Sequence, residues 1–519
     1  MEDILKKVIV IGAGAAGLMC AAAAAARGCQ VTVYEKNEKA GKKIYITGKG
    51  RCNLTNDCEP QEFLSHIVRN PKFLYSALYD FDQRRAMAFF EENGCRLKTE
   101  RGQRVFPVTD HASDVTRALT EYLQKRGVKI WYRTPVEALL FAPEEAGRGE
   151  NADDGSEATA GSYATAVGNY AASDSSYTGV SGGPAASAAG RRVVGVRLLS
   201  GKEARAEAVV VCTGGLSYPS TGSTGDGYRF AEAAGHTVVP CAPSLVPLTV
   251  RDERWLTLQG LALKNVAVRV TPLPEASGET DGQSTAAEGT GASAAVGSGG
   301  IVDGRAAAES HSRESAKLKK KKSAKRRKPV YTGFGELLFT HFGLSGPLIL
   351  SASAYCDFAA CPQGYLLEMD LKPAVSEEEL TGRLLREFAQ TPHRQLRTAL
   401  VSLFPGRLAE LMAALSPLGA ARAVGTIAAG EAAALVRLMK AVPVELAGTR
   451  GYPEAVVTRG GVSVRELNPS TMASKKAAGL YFAGEVLDVD GLTGGFNLQI
   501  AWSTGHLAGE SVGEGADDI

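Results

Sequence analysis

Four β-branched residues, Val8-Ile9-Val10-Ile11, run straight into Gly12-x-Gly14-x-x-Gly17 and then into an alanine-rich stretch that ends at Gly28. A strand over 6–12, a turn and a helix over 14–28 make one unit, and each glycine in it has a physical reason. Gly12 permits the tight turn, Gly14 lets the backbone approach a pyrophosphate, and Gly17 lets helix pack on strand. The N–H groups left free at the helix start then face the phosphates. Ala13, Ala15 and Ala16 keep the loop between the glycines small. A second strand over 30–35 ends in Glu35, 23 residues after Gly12 and followed by Lys36, where a carboxylate accepts both ribose hydroxyls. The segment predicts a dinucleotide site, and Glu35 disfavours a 2′-phosphate in it.

Composition narrows the remainder. With 44% hydrophobic and 22% charged residues in 519, the chain is globular. A net charge of +2 marks it as neither a nucleic-acid binder nor an acidic-surface protein. Nine cysteines without a C-x-x-C pair argue against a disulfide framework or a zinc ribbon, and no metal site is expected. Residues 8–26 carry no charge and follow Lys6-Lys7, the outline of a signal peptide, but three glycines and a strand-like start interrupt it. A cytoplasmic protein without a membrane span is expected.

Two stretches, 142–190 and 275–328, are too poor in large apolar residues to offset chain entropy and read as flexible surface insertions. The second ends in a run, 317–328, in which nine of twelve residues are Lys or Arg. It lacks interleaved aromatic residues for base stacking, so a solvated loop is expected. Without those nine charges the balance is 49 basic against 56 acidic residues, a mildly acidic body. That body alternates strand and helix: amphipathic helices over 82–93 and 113–126, strands over 128–133, 192–199 and 206–212, with the first insertion where a hairpin tip would lie. Residues 376–440 read as helical, with breaks at Pro392, Pro405 and Pro417. A strand over 479–485 and a closing helix over 497–512 follow.

That C-terminal return decides the cofactor. A strand, Gly484-Glu485, the pair Gly494-Gly495 and a helix from about Asn497 bring an acidic group and a helix N-terminus back toward the nucleotide loop. Partial positive charge at such an N-terminus stabilises the anionic edge of a reduced flavin. FAD is therefore favoured over NAD at this site. With no second strand–GxGxxG–helix unit, NADH or NADPH would dock only transiently as electron donor.

Six stretches carry a resemblance: GAGAAG (12–17), GKKIYITGKGRCNLTN (41–56), RVFPVTDHASDV (104–115), TGGLSYPSTGSTGDGY (213–228), FTHFGLSGP (339–347) and TMASKKAAGLYFAGEVLDVDGLTGGFNLQIAWSTG (471–505). In this order they resemble the BaiN/YhiN-type family of bacterial FAD-dependent oxidoreductases, which includes proteins called aminoacetone oxidases, over the whole folded body. The resemblance implies an α/β fold: a three-layer Rossmann-like FAD-binding domain (1–244 and 445–519) interrupted by a β-rich insert domain (245–375) and a helical insert (376–444). It also implies that Gly48, Gly50, Arg51, Cys52 and Asn53 lie along the cofactor, that Val136 meets the adenine, and that Thr213 and Gly214 pass the pyrophosphate. Gly484 and Glu485 would reach the ribityl–pyrophosphate region, and Asn497, Leu498 and Gln499 the flavin. The two low-complexity insertions depart from the family pattern.

Other motifs fail on spacing. GKKIYITGKG has six residues between Gly41 and Gly48, and Gly50 replaces the Ser or Thr a P-loop requires. Asp488-Val489-Asp490-Gly491 begins like a calcium loop, but Leu492 and Thr493 occupy the next positions. Cys52 has no partner cysteine for dithiol chemistry and reads as a small buried side chain.

The expected activity passes hydride from NAD(P)H through FAD to a conjugated ketone or steroid-like enone, the substrate class the resemblance implies. Tyr218, Tyr228 and His341 are the candidate acids for protonating the α-carbon. An oxidase of small amines such as aminoacetone is one alternative. A non-catalytic, RNA-linked role through the basic run is another. A small-molecule substrate is the expected partner, no specific nucleic acid is expected, and the oligomeric state is left open.

Overall fold

The computed structural model describes residues 5–143, 191–275 and 327–513. Both expected insertions lie almost wholly outside the described residues, as does all of the basic run but Arg327 and Lys328.

The first strand, β1 (Lys7–Ile11), leads into helix α1 (Ala15–Ala26) and strand β2 (Gln30–Tyr34). All three bury apolar side chains. A five-stranded parallel sheet forms around them in the order Leu480–Phe482, Ala208–Val211, β1, β2, Lys129–Trp131. Strands covered on both faces read as unbroken apolar runs, as Ala208–Val211 does. On one face α1 packs against the closing helix Phe496–Gly513. Side chains at Gly505 and Gly509 would overlap the carbonyls of Ala16 and Cys20, so small residues set how closely these helices lie. The other layer is an antiparallel sheet of Val136–Phe141, Arg191–Leu198 and Glu203–Arg205, with Ala477–Ala478 added in parallel. Val193 and Val196 join it to the core of the parallel sheet. The hairpin expected around the first insertion is made by Val136–Phe141 and Arg191–Leu198; the strand near 128–133 belongs to the parallel sheet instead.

A second body has its own core. Strands Leu248–Val250, Gly343–Ser345, Tyr331–Phe339, Ala262–Pro272, Tyr365–Asp370 and Val442–Thr449 close into an antiparallel barrel. Helices Glu377–Gln390, Gly406–Leu415 and Ala429–Lys440 share its apolar core through Leu384, Leu408 and Val436. Ser376 and Glu379 form a reciprocal cap at the first of these. The last barrel strand spans the expected boundary at 444/445, because the chain leaves the helices directly into the strand that closes the barrel. A small third cluster of Leu245, Ala354 and Val457 lies at the seam between the two bodies. No helix among the described residues is long and apolar enough to cross a membrane.

Candidate functional site

A cavity of about 500 Å³ opens where the parallel strands end. Its wall takes Gly12 to Ala16 from the loop after β1, Glu35 and Lys36 after β2, Thr213 and Gly214 after Ala208–Val211, and Glu485 after Leu480–Phe482. Crevices at the carboxyl ends of parallel strands are where such sheets bind ligands.

The three glycines differ in their surroundings. At Gly12 (φ +102°) a Cβ would stand 2.6 Å from the Cys212 carbonyl oxygen, and at Gly17 it would overlap the Gly12 carbonyl. At Gly14 a Cβ would meet nothing within 4 Å. The first and third glycines therefore serve packing, while the second faces open space. Glu35 is 7% exposed, and its carboxylate accepts from the Ala13 N–H (2.8 Å) and from the Asn37 N–H and side-chain amide (2.7 Å each). Three bonds leave a carboxylate with capacity for a further donor. It thus fixes the loop after β1 and borders the cavity.

Across the cavity, Lys36 reaches Asp226 and Thr224 (2.6 Å each), and Asn37 donates to the Thr221 carbonyl (3.0 Å). These contacts tie the end of β2 to the loop that follows Thr213. Nearby, Lys43 bonds both Ser217 and Glu485, and Glu485 also accepts from Ser217 (2.6 Å) and the Thr458 N–H (2.9 Å). Asn497 holds the Gly491–Leu492 turn through its side-chain amide, and it lines the cavity together with Leu498, Ile500, Ala501, Val456 and Val457.

With Glu35, Lys36, Asn37 and Glu485 among its polar lining residues and Val456, Val457, Leu498, Ile500 and Ala501 among its apolar ones, the cavity suits FAD. Two details of the chain support the fit: the open space in front of Gly14, and the Thr213 hydroxyl, buried without a hydrogen-bond partner at the cavity wall.

The sequence family described as HI0933-like protein Rossmann domain matches residues 6–194 and 185–511. The chain belongs to this family. It is an FAD-dependent oxidoreductase, as the resemblance implied. Among curated relatives, the chain is 28% identical to the ribosomal RNA dihydrouridine synthase of Haemophilus influenzae, over 97% of this chain and 98% of that one. It is 29% identical to the Escherichia coli protein of the same name, over 97% of each. It is 26% identical to the 3-dehydro-bile acid delta(4,6)-reductase of Clostridium scindens, over 98% of this chain and 100% of the other.

Within this HI0933-like fold, Val136, Thr213, Gly214, Glu485, Asn497 and Leu498 line the cavity, as do the residues expected from the nucleotide loop apart from Gly17. Other nominated residues stand behind the wall. Gly484 donates to the Thr504 hydroxyl, and a Cβ on it would stand 2.6 Å from that of Ala16. Gln499 is fully buried, accepting from Thr55 (2.7 Å) and donating to the Phe81 carbonyl and Ser503. Gly48, Gly50, Arg51, Cys52 and Asn53 are likewise outside the wall. Arg51 forks onto Glu100, also bonds Asp110, and lies 4.0 Å over the Phe106 ring. Cys52 is fully buried, and burial pushes its thiol up to about 12, so it is no nucleophile.

The three nominated acids are also elsewhere. Tyr228 is completely buried, which holds its hydroxyl far above the usual range. Tyr218 is half-buried in a left-handed turn (φ 50°), and His341 is exposed on the barrel against Phe342. Sequence reasoning missed Asn37, Lys43, Ser217 and Thr458. Lys43 lies inside a quoted motif, but its partner Glu485 is 442 residues away, and no local pattern joins them.

Proposed function

We propose that this enzyme reduces a carbon–carbon double bond conjugated to a carbonyl, with NAD(P)H as electron donor and a small conjugated ketone as substrate. The observation that carries this reading is the pair of activities borne by relatives that match the whole chain. Making dihydrouridine saturates the C5=C6 bond next to a pyrimidine carbonyl, and a delta(4,6)-reductase of a 3-oxo steroid saturates bonds conjugated to its ketone. Both are additions of hydride and proton across a polarised C=C.

FAD, when bound, would supply the hydride chemistry. The chain would hold it by the N–H groups of the Gly12–Gly17 loop at the pyrophosphate, Glu35 at the ribose, Val136 at the adenine, and Thr213 with Gly214 beside the pyrophosphate. Asn497 and Leu498 would face the flavin, with the helix behind them favouring negative charge. Val456, Val457, Ile500 and Ala501 add apolar side chains to the wall, which would disfavour water beside the flavin. None of Tyr218, Tyr228 and His341 is part of the cavity wall, so the source of the proton is left open.

A second reading takes uridine in RNA as the substrate. It is favoured by the two relatives named for that activity and by the basic run 317–328. Anaerobic half-reactions on the FAD-loaded protein test both. NADH or NADPH should bleach the flavin, and a 4-en-3-one steroid should restore its colour. Restoration by unmodified ribosomal RNA alone selects the second reading. Bleaching by aminoacetone without NAD(P)H refutes both and makes the protein an amine oxidase.

A further inference from the structure

Two carboxylates on the cavity wall follow parallel strands, and they are held differently. Glu35 takes its three bonds from the neutral N–H donors of Ala13 and Asn37. Glu485 takes a cation. The Lys43 ammonium donates to one of its oxygens and to the Ser217 hydroxyl. The other oxygen accepts from the Ser217 hydroxyl (2.6 Å) and the Thr458 N–H (2.9 Å). The Thr458 hydroxyl in turn accepts from the N–H groups of Leu216 and Ser217 (2.7 and 3.0 Å). Glu485 thereby joins four stretches of chain: the short helix Lys42–Ile46, the loop after Ala208–Val211, the strand Val457–Val462 and its own turn after Leu480–Phe482. Such a junction needs an acceptor with several lone pairs, which an ionised carboxylate supplies.

The charge of that carboxylate is unfavourable in this place, because FAD brings an anionic pyrophosphate into the cavity. Lys43 and Glu485 are 23% and 20% exposed, so solvent screens them only in part. Lys43 lines the cavity as Glu485 does, and the wall holds five basic against four acidic residues. Without Lys43 the positive excess is gone, and the junction carboxylate meets the phosphates uncompensated. We propose that Lys43 is a positioning residue of the FAD site that acts through Glu485. It cancels the charge of a carboxylate retained for its hydrogen bonds, so that the wall accepts an anionic cofactor. The proposal rests on FAD occupying this cavity and is independent of the choice between enone and RNA uridine as substrate.

Titration of the FAD-free protein with FAD, followed by flavin fluorescence, tests it. Lys43→Met should weaken binding about 10-fold, the order expected for one uncompensated unit charge in a protein site. Lys43→Arg keeps the charge and should stay within about threefold of the wild type. The pairing itself is read from Lys43→Met/Glu485→Gln, which should regain most of the lost affinity because neither charge is left alone. Raising salt to about 1 M should narrow the gap between Lys43→Met and the wild type. Unchanged affinity in Lys43→Met, or a double variant that binds no better than Lys43→Met, overturns the proposal. Should Lys43→Met fail to fold, Glu485→Gln alone decides. Affinity within about threefold of the wild type supports charge cancellation, and a loss of about 10-fold or more overturns it, since the negative charge itself would then serve FAD. If Gly14→Ala also leaves affinity unchanged, FAD lies outside this cavity and the proposal falls with the site. The enone half-reactions judge the reductase reading separately.

Discussion

Two glycine-rich loops of this protein look alike in sequence and differ in what their glycines do. In Gly12–Gly17, one position, Gly14, opens onto empty space at the cavity, and its neighbours serve packing. In Gly48–Asn53 the left-handed residues Gly48, Lys49, Gly50 and Cys52 serve the turn itself, and none of the loop lines the cavity. A Cβ on Gly48 would stand 2.9 Å from the Asn53 nitrogen. Glycine thus stands before open space at the cavity in one loop and against the chain's own backbone in the other.

Substitutions can break or sharpen this contrast. Gly14→Ala should weaken FAD binding the most, about 100-fold or roughly 2.7 kcal/mol, while leaving the melting temperature of the FAD-free protein unchanged; flavin fluorescence titration and thermal melts check the two halves. Glu35→Gln should weaken binding about 10-fold by the same titration, since a charged acceptor is worth ~1.5–3 kcal/mol and only part of its bonding goes to the ligand. Gly48→Ala should do the reverse of Gly14→Ala. It should cost about 1–2 kcal/mol of stability for the left-handed backbone, with FAD affinity within twofold. A loss of affinity as large as that of Gly14→Ala would place the second loop on the cofactor.

Two smaller effects refine the picture of that second loop. Burial raises the Cys52 thiol to about 12, so at pH 7–9 it stays protonated. Mass spectrometry should find it unalkylated by iodoacetamide in the native protein at pH 8 and alkylated after unfolding. Arg51→Ala should change FAD affinity least. Its ion pairs with Glu100 and Asp110 are screened by solvent and do not border the cavity.

The nucleotide unit was legible in the sequence because its reasons are local. A turn, a close approach and a helix start each demand glycine within six residues, and the carboxylate ends the next strand. The closing helix was legible as an element, but which of its side chains face the cavity was not. Asn497, Leu498 and Ala501 lie on the cavity side, while Gln499, Trp502 and Ser503 are fully buried beyond it. The family motif marks all of them without distinguishing the two faces. The barrel was foreseen only as a β-rich region. Its closing strand Val442–Thr449 follows a helix and pairs with residues about 80 and 200 positions earlier, a closure that no window of sequence contains. The candidate acids Tyr218, Tyr228 and His341, none of which lines the cavity, were chosen without that information. Tyrosine and histidine are conspicuous in sequence, but reach to the flavin depends on how two bodies meet along a seam.

The spatial order of the parallel sheet also bears on how the protein is made. Its outer strand Leu480–Phe482 and the helix that covers α1 come from the last forty residues of the chain. On the ribosome, β1 and α1 emerge well before Leu480–Phe482 and the helix Phe496–Gly513, so the surface that these cover stays open until they follow. The barrel and its helices, which lie between these two halves in sequence, can complete their own core earlier. The parallel sheet therefore cannot be completed before Leu480–Phe482 is available, whereas the barrel needs no strand beyond Thr449.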